Sequence, residues 1–198
     1  MTIFVDLEEF QLLHIEQGKD SQTIQKFAEK LPDANTVEQV SIDMSPAFIS
    51  GVKSYLPNAA ITFDKWHIWK VFFKHFEDFE QKNKDIIEFR DYIISEFEQI
   101  YQHKSVELAQ AHLVYLMDFI EEFSSLKAKS ALIKSLESHF QGIINYVQSK
   151  ITNGVLEGMN SKIQTIKRVA KGFRHFQNFN KMVMFVFGAI KPQKFATQ

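Results

Sequence analysis

Residues 38–67 read E-Q-V-S-I-D-M-S-P-A-F-I-S-G-V-K-S-Y-L-P-N-A-A-I-T-F-D-K-W-H. Glu38–Ile42 has the look of a short strand, and it runs directly into Asp43. Pro46 fits the first turn of a helix that reaches about Tyr55. Leu56-Pro57-Asn58 breaks the helix, and Ala60–Phe63 forms another strand that runs into Asp64. A strand, a helix and a strand at this spacing predict parallel neighbours joined by a right-handed crossover.

Toward the N-terminus, Thr2–Leu7 is β-branched and aromatic, hence a strand, and Leu12–Glu16 pairs with it through Glu8–Gln11. Ser21 caps a helix that lasts to about Lys30, with Ile24, Phe27 and Ala28 on its apolar side. Leu31-Pro32-Asp33 ends it. These four strands and two helices describe a mixed α/β sheet. Toward the C-terminus the character changes. From Trp66 to Lys150 there is no proline, and Gly142 is the only glycine. Trp66, Trp69, Phe73 and Phe76 recur at helical spacing, as do Ile86, Ile93, Phe97 and Ile100, and Leu113, Leu116 and Ile120. Four helices are predicted, with breaks near Lys82–Lys84, His103–Ser105 and Leu126–Lys129, their apolar faces forming a core. After a loop at Asn153-Gly154, a helix covers about Val155 to Ala170 and ends at Gly172. Another covers about Asn178–Gly188.

The 198 residues hold 20 Phe but only 7 Gly and 4 Pro, which favours helices over a turn-rich β fold. The absence of cysteine excludes disulfides, thiolate metal sites and cysteine nucleophiles. No apolar run is long enough to span a membrane and no leader opens the chain, so a cytoplasmic protein is expected. The net charge of −1 conceals a division. Residues 1–149 carry 14 Lys/Arg against 23 Asp/Glu, a balance of −9; residues 150–198 carry 9 against one, a balance of +8. The basic end either binds a polyanion or docks on the acidic half of the same chain.

The one acid of that basic end, Glu157, sits in the first turn of its helix, where the helix dipole favours a carboxylate. Leu156, Met159, Ile163, Ile166 and Ala170 form an apolar stripe. Glu157, Asn160, Ser161, Gln164 and Arg168 form the polar face. An acid suited to a divalent cation, beside bases suited to phosphates, is the pattern of metal-dependent phosphodiester chemistry. Asp43 and Asp64 stand at the carboxyl ends of parallel strands, where α/β sheets place their sites. The plainer reading makes each of these acids the cap of its own helix.

V-S-I-D-M-S-P-A-F, L-P-N-A-A-I-T-F-D-K-W-H and N-G-V-L-E-G-M-N-S-K-I-Q-T-I-K-R-V-A-K-G-F-R together resemble bacterial insertion-sequence transposases of the ISL-three type. The resemblance implies a ribonuclease H-like catalytic core over residues 1–65 and 151–198, interrupted by a helical insertion over 66–150. It implies an Asp-Asp-Glu triad in which Asp43 matches the second acid and Glu157 the third, both as catalytic and metal-binding residues. Asp64-Lys65-Trp66-His67 matches the [C/D]-x-x-H signature after the second acid, with Asp64 and His67 in a supporting role. Lys162, Lys167, Arg168, Lys171 and Arg174 would contact DNA phosphates. The implied cofactor is Mg²⁺ or Mn²⁺ in a two-metal site, and the implied partner is DNA, as transposon ends and target. No membrane is involved, and a homo-oligomer is admitted. The intact enzyme would hydrolyse the transposon-end phosphodiester and transfer the 3′-hydroxyl to target DNA.

The sequence departs from the family at its start. The strand bearing the first catalytic Asp, and the zinc-binding and helix-turn-helix regions, have no counterpart. The chain therefore reads as N-terminally truncated and inactive, with metal binding weak or absent. Asp6 reads as a hairpin residue, the alternative being a substitute for the missing acid. Because the missing strand is central in this fold, Thr2–Leu7 and Glu38–Ile42 are expected to close up or to pair with another molecule. The rival readings are a non-catalytic helical interaction or nucleic-acid-binding protein, in which Asp43 and Glu157 are caps, and a nuclease of the same fold.

Overall fold

A computed structural model of the chain describes residues 1–77, 84–122, 129–150 and 154–187. The elements run β1 (Thr2–Asp6), β2 (Gln11–Glu16), α1 (Ser21–Ala28), a 3-10 turn (Ala34–Thr36), β3 (Gln39–Ile42), α2 (Pro46–Tyr55) and β4 (Ala60–Phe63), then α3 (Lys65–Glu77), α4 (Lys84–Gln102), α5 (Val106–Glu122), α6 (Lys129–Ser149), α7 (Gly154–Val169) and α8 (Phe176–Phe187). The four expected insertion helices are present, and the break between α4 and α5 falls at residues 103–105. The breaks expected at 82–84 and 126–129 lie mainly outside the described residues, as do Asn153 and Gly188.

β1 and β2 form an antiparallel hairpin, from Thr2 opposite Glu16 to Asp6 opposite Gln11. Asp6 serves its turn: its carboxylate accepts the N–H groups of Glu8 and Glu9, both at 2.9 Å. β3 and β4 are parallel and in register, Gln39 opposite Ala60 and Ile42 opposite Phe63. The first helix starts one residue earlier than the sequence led us to expect. Asp20, not Ser21, is the cap: its carboxylate accepts the Thr23 N–H at 2.9 Å, and Thr23 Oγ1 accepts the Asp20 N–H in return. This reciprocal pair satisfies two donors, where a lone serine cap would satisfy one.

The strands do not form one sheet. The described residues hold two separate two-stranded sheets, β1–β2 and β3–β4. This corrects the expectation of a single mixed sheet, and β1 and β3 have not closed up on each other. The reason is that the two pairs are held together through side chains rather than backbone. Phe4 of β1 stacks on Phe27 of α1 at 4.0 Å, and it shares one core with Val40 and Ile42 of β3 and with Val52 and Leu56 around α2. Gly51 lets α2 approach α1 closely, since a Cβ there would lie 2.8 Å from Ile24. Burial follows the split. The outer strands β2 and β4 bury Leu12, Ile15, Thr62 and Phe63, whereas no residue of β1 or β3 is buried.

Two further cores flank this one. The larger joins β4 to the insertion helices through Phe63, Ile68, Trp69, Phe97, Leu113, Leu116, Ile143 and their neighbours. The other fastens α7 and α8 to the hairpin, through Met159, Ile163, Phe179 and Val183 against Leu12 and Ile15. Most of the periodic apolar positions are core as expected, with Ile93, Phe97, Ile100, Leu113, Leu116 and Ile120 all essentially solvent-free. Trp66 is the exception, at 54% exposure. Ala170, the last residue of the predicted α7 stripe, is also exposed. The side chains of Phe73, Phe76 and Ile86 lie outside the described set.

α6 meets β4 at Gly142. A Cβ at this position would come within 2.2 Å of the Phe63 ring, and Asn145 one turn later donates to the Ile61 carbonyl at 2.7 Å. Gly142→Ala is therefore expected to destabilise the chain by about 1–3 kcal/mol despite the better helix propensity of alanine. Chemical denaturation checks this, and an unchanged or raised midpoint would refute the close packing.

Candidate functional site

The parallel register carries Asp43 and Asp64 to adjacent positions just beyond Ile42 and Phe63, at the carboxyl ends of β3 and β4. Neighbouring strands lie about 4.8 Å apart, so the two acids start side by side. Each is also engaged locally. Asp43 is half-buried and its Oδ1 accepts the Ser45 N–H at 2.9 Å. Asp64 is 7% exposed; its Oδ1 accepts the Trp66 N–H at 3.0 Å and lies 3.3 Å from His67 Nδ1. Asp64 is thus the cap of α3, and its bond to Trp66 fixes the direction in which that helix leaves the strand.

Glu157 is exposed in the first turn of α7. It lines one cavity of about 520 Å³ together with Asp64, Lys65, Trp66, Trp69, Ile94, Glu98, Tyr146 and Gly154. The structure thus brings Glu157 and Asp64 to a common space, with Asp43 at the adjoining strand end and not among the lining residues. His67 is likewise set beside Asp64 rather than in the wall. Lys65 is drawn across the cavity, 3.7 Å from Glu98 and within 6 Å of the Trp69 and Tyr101 rings. Tyr101 is buried, and its hydroxyl has no hydrogen-bond partner among the described residues. Burial, then the neighbouring Tyr146 and the Asp64 charge, hold its pKa well above the ordinary phenol value.

The family implied by the motifs uses divalent metal. The carboxylates are the right kind of donor for Mg²⁺ or Mn²⁺, which prefer oxygen. Their number falls short, because no three Asp, Glu or His side chains among the described residues are grouped closely enough to hold an ion. Lys162, Lys167, Arg168, Lys171 and Arg174 are all exposed, and none forms an ion pair among the described residues. Among the described residues they do not spend their charge on the acidic half of the chain. Lys171 adopts a left-handed conformation at the end of α7, with Lys171 and Gly172 N–H groups closing on the Arg168 and Lys167 carbonyls. That terminus holds the basic cluster in one place.

A family model described as Transposase, of the ISL-three group with a DDE catalytic domain, matches residues 1–92 and 92–183. The chain belongs to this family. The transposase for insertion sequence element IS1001 of Bordetella parapertussis is 23% identical to it over 222 residues, covering 90% of this chain and 55% of that protein. This transposase-family chain therefore spans about half the length of the curated relative it matches. No solved structure matches. No helix among the described residues is long and apolar enough to cross a membrane.

Sequence reasoning picked out Asp64 but placed Trp66 in the core and passed over Trp69, Glu98 and Tyr146 as members of a site. A signal for Trp66 was available. Trp66, Lys70 and Lys74 share one helical face, which is too polar for a core stripe. The capping role of Asp64 can be separated from any chemistry. Asp64→Ala is expected to cost about 1 kcal/mol, whereas Asp64→Asn, which still caps, is expected to be near neutral. Thermal unfolding of the two variants checks this, and equal losses would show that the charge rather than the cap matters to the fold.

Proposed function

We propose that this chain is the part of a transposase catalytic domain, of ribonuclease H-like type, that supplies the second and third acids of an Asp-Asp-Glu site acting on DNA. The observation that carries the reading is the shared cavity. Glu157 reaches it from α7, Asp64 from the end of β4, and Asp43 adjoins it on the paired strand. Residues 1–65 and 151–198 form the core in this reading and 66–150 the insertion. The two sheets fit a ribonuclease H-like sheet in which one strand would lie between β1 and β3, each of which has a single strand neighbour. That strand would bring the first acid. Asp43 and Glu157 would then be metal-binding residues of the completed site, Asp64 and His67 would support it, and Lys162, Lys167, Arg168, Lys171 and Arg174 would hold phosphates. With Mg²⁺ or Mn²⁺ bound, such a site supplies phosphodiester hydrolysis and strand transfer. Residues of this chain orient the carboxylates and bind the DNA backbone.

One observation favours a second reading. Asp64 accepts the Trp66 N–H in the first turn of α3, as a cap does, and Asp43 is engaged by the N–H of Ser45 in the turn before α2. In that reading the chain binds nucleic acid or a protein partner without catalysis.

DNA binding is tested by its dependence on salt. Phosphate contacts by residues 150–181, which hold seven Lys/Arg, are expected to give sequence-independent affinity that falls by about 0.9 log per log salt for each contact. The double change Lys167→Ala with Arg168→Ala is expected to remove roughly two such contacts from the slope. Salt-independent binding, or a slope unmoved by the double change, would refute the assignment of these residues.

Catalysis is tested separately. Two carboxylates leave most of an octahedral shell to water, so the purified chain is expected not to nick supercoiled plasmid in Mg²⁺ or Mn²⁺. Nicking that vanishes in Glu157→Gln would show that the chain already holds its full set of acids, and would return Asp6 to consideration.

A further inference from the structure

The acidic half of the chain contains a local reversal of charge. α3 carries Lys65, Lys70 and Lys74 against one acid, Glu77, within a region whose balance is −9. Trp66, Lys70 and Lys74 are four residues apart, so they line up along one face of the helix, and all three are exposed. Ile68 and Trp69 are buried on its other side. Lys70 Nζ lies 5.7 Å from the centre of the Trp66 ring, so a cation is held beside the exposed indole. The Asp64 carboxylate accepts the Trp66 N–H, so the same acid that lines the cavity also fixes the base of this tryptophan.

An indole that is 54% exposed at a cavity wall, backed by two lysines on the same helical face, has the parts of a stacking platform with an electrostatic track beside it. The cavity it borders disfavours phosphate, with Asp64, Glu98 and Glu157 in its wall against Lys65, which pairs with Glu98. A neutral ring with amino donors suits it better, since carboxylates accept hydrogen bonds from such groups. Trp69, Ile94 and Tyr146 supply apolar wall, and about 520 Å³ is room enough for one nucleotide.

We propose that the cavity takes a single unpaired nucleobase of the DNA, stacked on Trp66, with the flanking phosphates on Lys70 and Lys74. This deepens the DNA reading given above and rests on it. It adds contacts to DNA on the helical insertion, apart in sequence from the basic cluster of α7. An unpaired base enters readily because no pairing partner has to be surrendered first.

The test compares binding of the whole chain to two duplexes of equal length, one carrying an unpaired 2-aminopurine and the other fully paired. The expected result is roughly tenfold tighter binding of the first, with quenching of the 2-aminopurine fluorescence on stacking. Trp66→Ala is expected to abolish both the preference and the quenching. Trp66→Phe is expected to keep most of each. Lys70→Ala with Lys74→Ala is expected to weaken binding and to reduce the salt slope by about 0.9 for each lost contact. Circular dichroism of the variants checks that the fold is retained. Salt-sensitive binding of both duplexes with no preference in the unaltered chain, or a preference that survives Trp66→Ala, overturns the subsite and leaves the DNA reading standing. No binding of either duplex overturns both.

Discussion

The seat of Phe63 on Gly142 is the contact on which the remainder of the molecule depends. β4 is only four residues long and has one strand neighbour, too little to be stable by pairing alone. The absence of a Cβ at Gly142 lets the α6 backbone come down onto the Phe63 ring, and Asn145 then satisfies the Ile61 carbonyl on the same strand. His139 closes the ring from the side in an edge contact at 5.1 Å. A strand that would otherwise be marginal is thereby built into the core of the helical segment. Everything at its end inherits that rigidity. Asp64 follows Phe63 directly, caps α3, and so fixes where Trp66 and Lys70 stand.

The other half of the site is fastened elsewhere. Glu157 belongs to α7, whose Met159 and Ile163 are buried against the hairpin rather than against β3 or β4. The cavity is therefore bounded by elements from two cores, one holding Asp64 and the other holding Glu157. The connection between them runs through the small cluster under α1 and α2, where Phe4, Phe27, Val40 and Val52 meet. Side-chain packing of this kind fixes distance less strictly than a continuous ladder of backbone hydrogen bonds. Shifts of β1 against β3 would alter the separation of Glu157 from Asp43 and Asp64 without breaking any strand pair. A strand seated between them would convert that soft joint into a rigid one, and would align the carboxylates at the same time.

Much of this was legible because local physics decided it. Pro46 at the start of α2, the turn after Leu56, and the alternation of Glu38–Ile42 and Ala60–Phe63 each bias the backbone on their own. The parallel pair followed from them. The helical spacing of Phe97, Ile100, Leu113 and Ile120 marked the insertion core because a fully buried helix face admits nothing else. What was not legible depends on three-dimensional placement. Whether β1 reaches β3 is decided by the helices above them, not by the strands' own residues. Asp20 displaced Ser21 as a cap because Thr23 could reciprocate, a detail that a preference for serine at helix starts does not contain. Trp66 was assigned to the core by its spacing from Trp69, although its spacing from Lys70 and Lys74 places it on the opposite, wet face. One residue lay on two periodicities, and only the packing of Ile68 and Trp69 determined which of them faced inward.

If the chain binds DNA as proposed, the separation of charge has a physical consequence. Carboxylates gathered in a cavity repel phosphate, so acids alone would keep the backbone away from the place where they act. The cations counter this from outside the cavity. Those of α7 stand on the polar face and at the left-handed terminus of the helix whose first turn holds Glu157, and Lys70 and Lys74 stand on the helix capped by Asp64. Asp64 thus caps α3, and Glu157 stands in the first turn of α7, two helices with cations on their exposed faces. The helix dipole stabilises the acid at that end, and the cations lie further along the same rod, at fixed distances of a few turns. In that reading backbone attraction and carboxylates coexist, because Lys70, Lys74 and the cations of α7 lie about 7 Å or more along their helices from Asp64 and Glu157, whereas Lys65, inside the cavity, pairs with Glu98 at 3.7 Å.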